Sequence, residues 1–461
     1  MKRQKSVFLI LVLLFVLTSC GRGDTYELEL PPVTPSPTPL IIDEPELEDY
    51  EIAHESSIPL DEAARFIRIM QDVFDEDGGA LWGIDLSAPF MFVDPVTRHA
   101  VANRPDNQGN LVRQGDVYVG ILSDRQRIGN TIAHFGGVLW GMALWTNSEE
   151  HNDSDMVRIM IHEVFHVKQE VLIVGTPQGT GLDFFSDSAR TRTLIRLELG
   201  ALLRAITSET ETERLSAITD ALSIRNERVQ RGRLTREDRE MEIHEGTAYY
   251  TDLMLGFNNL DERIHAIEEL AENISRLTAT YIFGALYGFL LDDFSVNWKY
   301  GIRYTTNLGD LLQEAAGIEE LIPFEELNLE AYGYTEIVSQ ETERAEISAT
   351  RRRSTRESFA EQPVLRISGM GDFSDYNFEI LFMPDLGMIY YGNIVFTNIA
   401  GTLKVHDGPF LLQGMEYEIP VKDITIEESR AFGHNWELEL NDGFEMVEDN
   451  TGDFIVRRIG G

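Results

Sequence analysis

Residues 156–174 read Met156-Val157-Arg158-Ile159-Met160-Ile161-His162-Glu163-Val164-Phe165-His166-Val167-Lys168-Gln169-Glu170-Val171-Leu172-Ile173-Val174. Asp153 or Ser154 can cap the start and Gly175 the end, so the stretch predicts one helix. Its two histidines, four apart, fall on one helix face one turn from each other, which suits two corners of a tetrahedral zinc site. Glu163 lies about 100° round from His162, so its carboxylate reaches water at the metal rather than the metal itself. Zinc lowers the pKa of such water toward about 7, and a glutamate can then take the proton and pass it to a leaving amine. Ile159, Met160, Ile161, Val164, Phe165 and Val167 make the helix apolar almost all round, which predicts a central, buried position. Two buried histidines and a glutamate need partners, and a metal supplies one.

A third ligand has to come from elsewhere, because Gln169 stands where the extended pattern HExxHxxGxxH requires glycine. Downstream, Thr235-Arg236-Glu237-Asp238 starts a second helix, which contains Glu245-Gly246-Thr247-Ala248-Tyr249-Tyr250-Thr251-Asp252. Glu242, Glu245, Tyr249 and Asp252 share one face of it, a polar stripe amid Ile243, Ala248, Leu253 and Met254. Together the two segments resemble the gluzincin group of zinc metallopeptidases, in which a glutamate on a later helix, followed by small residues and an aromatic, completes the site. The resemblance implies Zn2+ held by His162, His166 and Glu245, with Glu163 as general base and then acid. Glu242 and Glu198 remain alternatives for the third ligand, although Glu198, in the apolar run Leu194–Leu199, also reads as a buried ion-pair partner of Arg225 or Arg228. The best-known gluzincins carry aspartate four residues after the ligand glutamate. Tyr249 stands there, so orientation of a histidine passes to Asp252 or to another group. Tyr249 itself reads as a catalytic donor to the oxyanion or as a structural tyrosine.

Gluzincins usually place an edge strand just before the HExxH helix, where substrate backbone adds as a further strand. Gly136–Trp145 occupies the matching place in order, without the Gly-x-Met-Glu-Asn signature of zinc aminopeptidases. The resemblance covers about residues 85–255 in arrangement, and its specific content lies in the two motifs.

Helical spacing predicts a helix over Asp61–Phe74, and strands are expected at Phe90–Val93, His99–Ala102, Val117–Leu122 and Gly137–Trp145. From Asp155 to about Ala316 nearly everything reads as helix. Strands first and helices afterwards is an α+β layout. The expectation is a zincin-like metallopeptidase core over residues 59–335, with an N-terminal antiparallel sheet and then helices. A charged, exposed connecting helix over 336–363 and a β-sandwich-like, all-β domain over 364–461 would follow. Gly284 and Gly288 in Tyr281–Gly288 read as close helix packing.

Composition narrows the function classes. The 461 residues hold 39 Lys+Arg against 78 Asp+Glu, a formal net charge of −39, which repels phosphate backbones and argues against nucleic acid as a partner. The single cysteine, Cys20, excludes intramolecular disulfides and cysteine-rich metal clusters. It follows Lys2, Arg3, Lys5, the apolar run Val7–Leu17 and Leu17-Thr18-Ser19, and so resembles the lipobox of bacterial lipoproteins. That resemblance implies a signal peptide over 1–19, lipid attachment at Cys20, and membrane contact through the lipid anchor only. Residues 20–58, rich in proline and acid, read as a tether holding an extracytoplasmic protein off the cell membrane. Phosphate-binding Gly-rich loops and Gly-x-Ser-x-Gly elbows are absent. The sequence therefore predicts a lipid-anchored zinc peptidase acting on peptide or protein substrates, of open oligomeric state. The alternative is a non-catalytic surface lipoprotein binding a ligand or partner, with zinc structural or absent.

Overall fold

Phe90-Met91-Phe92-Val93 forms strand β1 (Phe90–Val93) of the computed structural model, and its alternation decides the first layer. Phe90 and Phe92 enter the large core with Met160 and Phe165, while Met91 and Val93 enter a second cluster with Trp140 and Met142 on the other face. All four are buried, which a strand with alternating side chains achieves only when both faces are covered. The structure describes residues 57–123, 125–145, 153–177, 188–294, 297–369, 371–413 and 416–460. The expected signal peptide, Cys20 and nearly all of the tether lie outside the described residues.

Five further strands complete the sheet: β2 (His99–Ala102), β3 (Val112–Gln114), β4 (Val117–Ile121), β5 (Thr131–Phe135) and β6 (Val138–Leu144), in the order β3-β4-β2-β1-β6-β5. Neighbours pair antiparallel, except that β1 and β6 run parallel, with Phe90 opposite Gly141 and Val93 opposite Leu144. The sheet expected to be antiparallel is therefore mixed. Strand β6 returns beside β1 after four intervening strands, a pairing between distant segments that no local pattern encodes. The expected edge is displaced for the same reason. Strand β6 lies inside the sheet, and β5 forms the edge beside it.

The helical region follows: α2 (Asp153–Leu172), α3 (Ala189–Thr207), α4 (Glu211–Gln230), α5 (Arg236–Gly256), α6 (Leu260–Ala271), α7 (Arg276–Phe294) and α8 (Leu308–Ala315), after α1 (Leu60–Asp77) ahead of the sheet. Every residue of α2 from Met156 to His166 is buried, as its all-round apolarity predicts. Two close approaches set where the site forms. A Cβ at Gly141 of β6 would lie 2.8 Å from the Glu163 carbonyl oxygen, so glycine lets the sheet press against α2 at that residue. A Cβ at Gly284 of α7 would lie 2.4 Å from the Glu242 carbonyl oxygen and from Gly246 Cα, so α5 and α7 touch backbone to backbone. Helix α5 begins with a reciprocal cap, Thr235 accepting from the Asp238 N–H and Asp238 from the Thr235 N–H. No helix among the described residues is long and apolar enough to cross a membrane.

Helix α9 (Tyr334–Glu361) bridges to the last region. It is not simply exposed: Ile337, Glu341, Ser348 and Thr355 form a buried stripe along it. Glu341 accepts from Arg192 at 2.6 Å and Arg196 at 2.9 Å on the helical side, and Arg351 donates to Glu379 at 2.6 Å on the β side. The C-terminal region is all-β: among the described residues ten strands (Val364–Ser368 through Phe454–Arg458) are hydrogen-bonded into one sheet, with one cluster containing Phe373, Phe396, Phe410, Tyr417 and Trp436 and a smaller one of Leu381, Met383, Ile389 and Leu411.

Candidate metal centre

Helices α2 and α5 cross so that the faces holding the two histidines and the glutamate meet. His162 Nε2 lies 3.3 Å and His166 Nε2 3.4 Å from one carboxylate oxygen, Glu245 Oε2. One ligand atom from each of the three residues falls within 4.8 Å of the others, close enough to hold a metal ion. Their side chains are 5 %, 6 % and 0 % exposed.

The outer nitrogens are already engaged, which fixes each ring. His162 Nδ1 is 3.0 Å from Asp252 Oδ2, and Asp252 Oδ1 accepts from Arg158 Nε at 3.0 Å and from its terminal nitrogen at 2.9 Å. His166 Nδ1 is 2.8 Å from Gln169 Oε1, and the Gln169 amide donates to the His244 carbonyl at 2.6 Å and to Thr247 Oγ1 at 2.9 Å. Partners on the outer nitrogens leave both Nε2 atoms facing inward, the arrangement that metal-binding histidines need. Asp252 therefore takes the orienting position that Tyr249 cannot. Gln169, a mismatch to a motif in the sequence, holds the second ring.

Inside the cluster, polar atoms lack partners. Glu163 Oε2, Glu245 Oε1 and Tyr281 Oη are buried and unsatisfied among the described residues. Such groups carry a desolvation cost that a cation and its water would relieve, so the donor set fits a metal. The charges agree. Burial disfavours the ionised Glu245, yet His166 and His162 hold its carboxyl well below the usual range. Burial also opposes protonation of His162, but hydrogen bonds to Asp252 and Glu245 outweigh it and raise its pKa to about 10. Burial pushes the Glu163 carboxyl up to about 7, against the pull of the two histidines.

The structure engages both alternatives for the third ligand elsewhere. Glu242 accepts from Arg225 at 3.0 Å, and Glu198 accepts from Arg225 at 3.1 Å, from Tyr287 at 2.9 Å and from Arg228. Both alternatives for the third ligand are thus committed to buried arginines. Tyr249 lies beside Arg158, whose guanidinium carbon is 5.8 Å from its ring centre, and beside Tyr281 at 6.3 Å. Burial raises its pKa, so its hydroxyl keeps its proton.

No protein-family model, curated protein or solved structure matches this chain. The site is therefore read from its own residues.

Besides Gln169 and Arg158, three aromatic rings stand at the site that the sequence does not assign to it. His244, next to Glu245, places its ring 4.5 Å from the ring of His166, and its Nδ1 is 3.2 Å from Tyr304 Oη. Tyr281 stacks on His162 with rings 5.8 Å apart and 10° from parallel. The polar stripe on α5 could have pointed to Tyr281 through the glycine contact, whereas Tyr304 comes from a segment without regular periodicity.

Proposed function

We propose that this chain is a zinc-dependent peptidase with a zincin-like core, held outside the cell membrane by lipid at Cys20. The observation that carries the reading is the convergence of His162, His166 and Glu245, with the unpartnered Glu163 carboxylate oxygen beside them. Zinc bound there would supply Lewis acidity, which acidifies water and polarises a carbonyl. Glu163 is the group that moves the proton. A buried carboxylate beside the ligand set, with one oxygen free of any hydrogen bond among the described residues, can take a proton from water and return it to a leaving amine. His162 and His166 are held in register by Asp252 and Gln169, and Arg158 anchors Asp252. The exposed margin of the sheet, strand β5, lies next to β6, which packs on Glu163; it is the natural place for a substrate strand to add.

The deep burial of the three ligands favours one other reading, a closed structural metal site in a lipoprotein that acts as a binding protein. Elemental analysis of the purified protein, followed by cleavage assays before and after chelation, separates them. The peptidase reading expects about one zinc per chain, hydrolysis of peptide bonds, loss of hydrolysis on chelation and recovery with Zn2+. Bound zinc with no hydrolysis of any peptide or protein tested favours the structural site.

A further inference from the structure

Strand β5 ends the sheet, and its side chains are sorted by the residues opposite them. Among the described residues it pairs only with β6, so its other side is a free edge. Ile132 stands opposite Gly141, and His134 opposite Leu139. Gly141 is the residue whose missing Cβ brings the sheet against α2 at the Glu163 carbonyl, so it faces that helix. Residues opposite one another in a ladder share a face, as do residues two apart along a strand. Ile132 and His134 therefore both point to the α2 side, while Ala133 joins the cluster of Trp140 and Met142 on the other. Ile132 is half-buried. His134 is exposed, with no hydrogen-bond or ion-pair partner among the described residues.

This edge is built rather than frayed. The crossover that delivers β5 is pinned at its start by Arg98, a buried residue in the left-handed region at φ 62°. Its guanidinium donates to the carbonyls of Leu122 at 3.2 Å, Ser123 at 2.7 Å and Gln126. A non-glycine residue keeps that conformation only where its surroundings impose it. Asn130 pins the other end, its side-chain oxygen accepting from the Leu144 N–H at 2.8 Å.

Charge marks the same region. Residues 90–145 hold five arginines against four aspartates, in a chain whose formal net charge is −39. Arg104, Arg113 and Arg125 are exposed, whereas Asp106 is buried. An acidic polypeptide repelled by the rest of the molecule meets no such excess over this sheet.

Resting on the peptidase reading, we infer that the substrates are acidic peptides and that His134 is the residue that selects them. A peptide strand on the free edge of β5 places alternate side chains on the α2 face, beside Ile132 and His134. The imidazole offers an N–H donor in either protonation state, so an Asp or Glu side chain beside it gains a hydrogen bond. A glutamine there accepts a weaker one, and a lysine offers no acceptor. Main-chain hydrogen bonds along the edge serve any sequence, and His134 chooses among them.

The test walks a single glutamate through an internally quenched peptide, each version paired with its glutamine isostere. kcat, KM and zinc content are measured for wild type, His134→Leu and His134→Lys. In wild type, one register should show a KM about five- to tenfold lower for the glutamate peptide, with kcat unchanged. His134→Leu should equalise the pair in that register while keeping its zinc and its kcat on the glutamine peptides. His134→Lys, which restores a donor, should restore the preference. Added salt should shrink it, because the pair lies at the surface. Equal KM for glutamate and glutamine peptides at every position in an active wild type would overturn the inference and leave the peptidase reading standing. So would a preference that survives in His134→Leu. A wild type that binds zinc but cleaves no peptide overturns the peptidase reading, and this inference with it.

Discussion

Gln169 Oε1 lies 2.8 Å from His166 Nδ1, and the same side chain's amide ties helix α2 to the His244 carbonyl on helix α5. One residue thus sets both the ring that faces the cluster and the spacing of the two helices that build it. Replacing Gln169 by leucine should lower Zn2+ affinity by roughly 10–100-fold, the usual cost of losing a group that orients a ligand. Chelator competition at pH 7 measures it. An unchanged affinity would show that His166 needs no support from this side chain.

Metal binding should release protons. With its pKa raised to about 10, His162 is protonated at pH 7 in the metal-free protein and has to lose its proton to act as a ligand. Titration calorimetry of Zn2+ in buffers of different ionisation enthalpy is expected to show about one proton released per ion or more at pH 7. The His162 share of this release should fall to about half at pH 10. No release at pH 7 would contradict the charge assignment.

Above about pH 6.5 the metal-free protein should also lose stability as pH rises; below it, His244, whose pKa burial lowers to about 3, offsets the Glu163 contribution. The Glu163 carboxyl titrates at 4.5 in its ordinary state and at about 7 in the fold, so its contribution is present below 4.5 and lost through 7. The His162 contribution is likewise present below 6.5 and lost as pH rises through about 10. Urea unfolding across this range measures the slope. Glu163→Gln should remove the Glu163 contribution and, because its charge helps hold the His162 proton, lessen the upper limb as well.

How much of this was legible in the sequence depends on distance along the chain. Residues of one helix declare themselves: the period of α2 placed His162 and His166 on one face, and the stripe on α5 placed Glu245 and Asp252 together. Gln169 was invisible as a support because its role depends on the rotation of α2 against α5, not on its spacing from His166. His244 was missed because the residue before a ligand lies about 100° round the helix and reads as outside the stripe. The parallel β1–β6 pairing was missed because it joins strands separated by four others, and the strand alternation that buries both faces of β1 is equally compatible with either direction.

Breaking the buried ion pairs should cost stability without touching the metal. Glu198→Gln leaves Arg225 and Arg228 short of charge in the core, at a cost of about 3–5 kcal/mol in urea unfolding. Zn2+ affinity should stay near that of wild type in the folded protein. A large loss of affinity would return Glu198 to the ligand set.

Gly284→Ala tests the contact that places Glu245. The added methyl would fall 2.4 Å from backbone atoms of α5, so the helices must separate. Destabilisation of about 1–3 kcal/mol is expected, as for other overpacked cores. Reduced Zn2+ affinity should accompany it, because α5 carries Glu245. Lost stability with unchanged affinity would show that the two helices are less tightly linked than this contact implies.

The central claim is that Glu163 moves the proton while His162, His166 and Glu245 hold the metal. Glu163→Gln tests it most directly, with zinc content and peptide hydrolysis measured on the same sample. The account predicts about one zinc per chain, as in wild type, and hydrolysis reduced by at least 10²-fold. Hydrolysis at the wild-type rate in a zinc-loaded Glu163→Gln protein would contradict it.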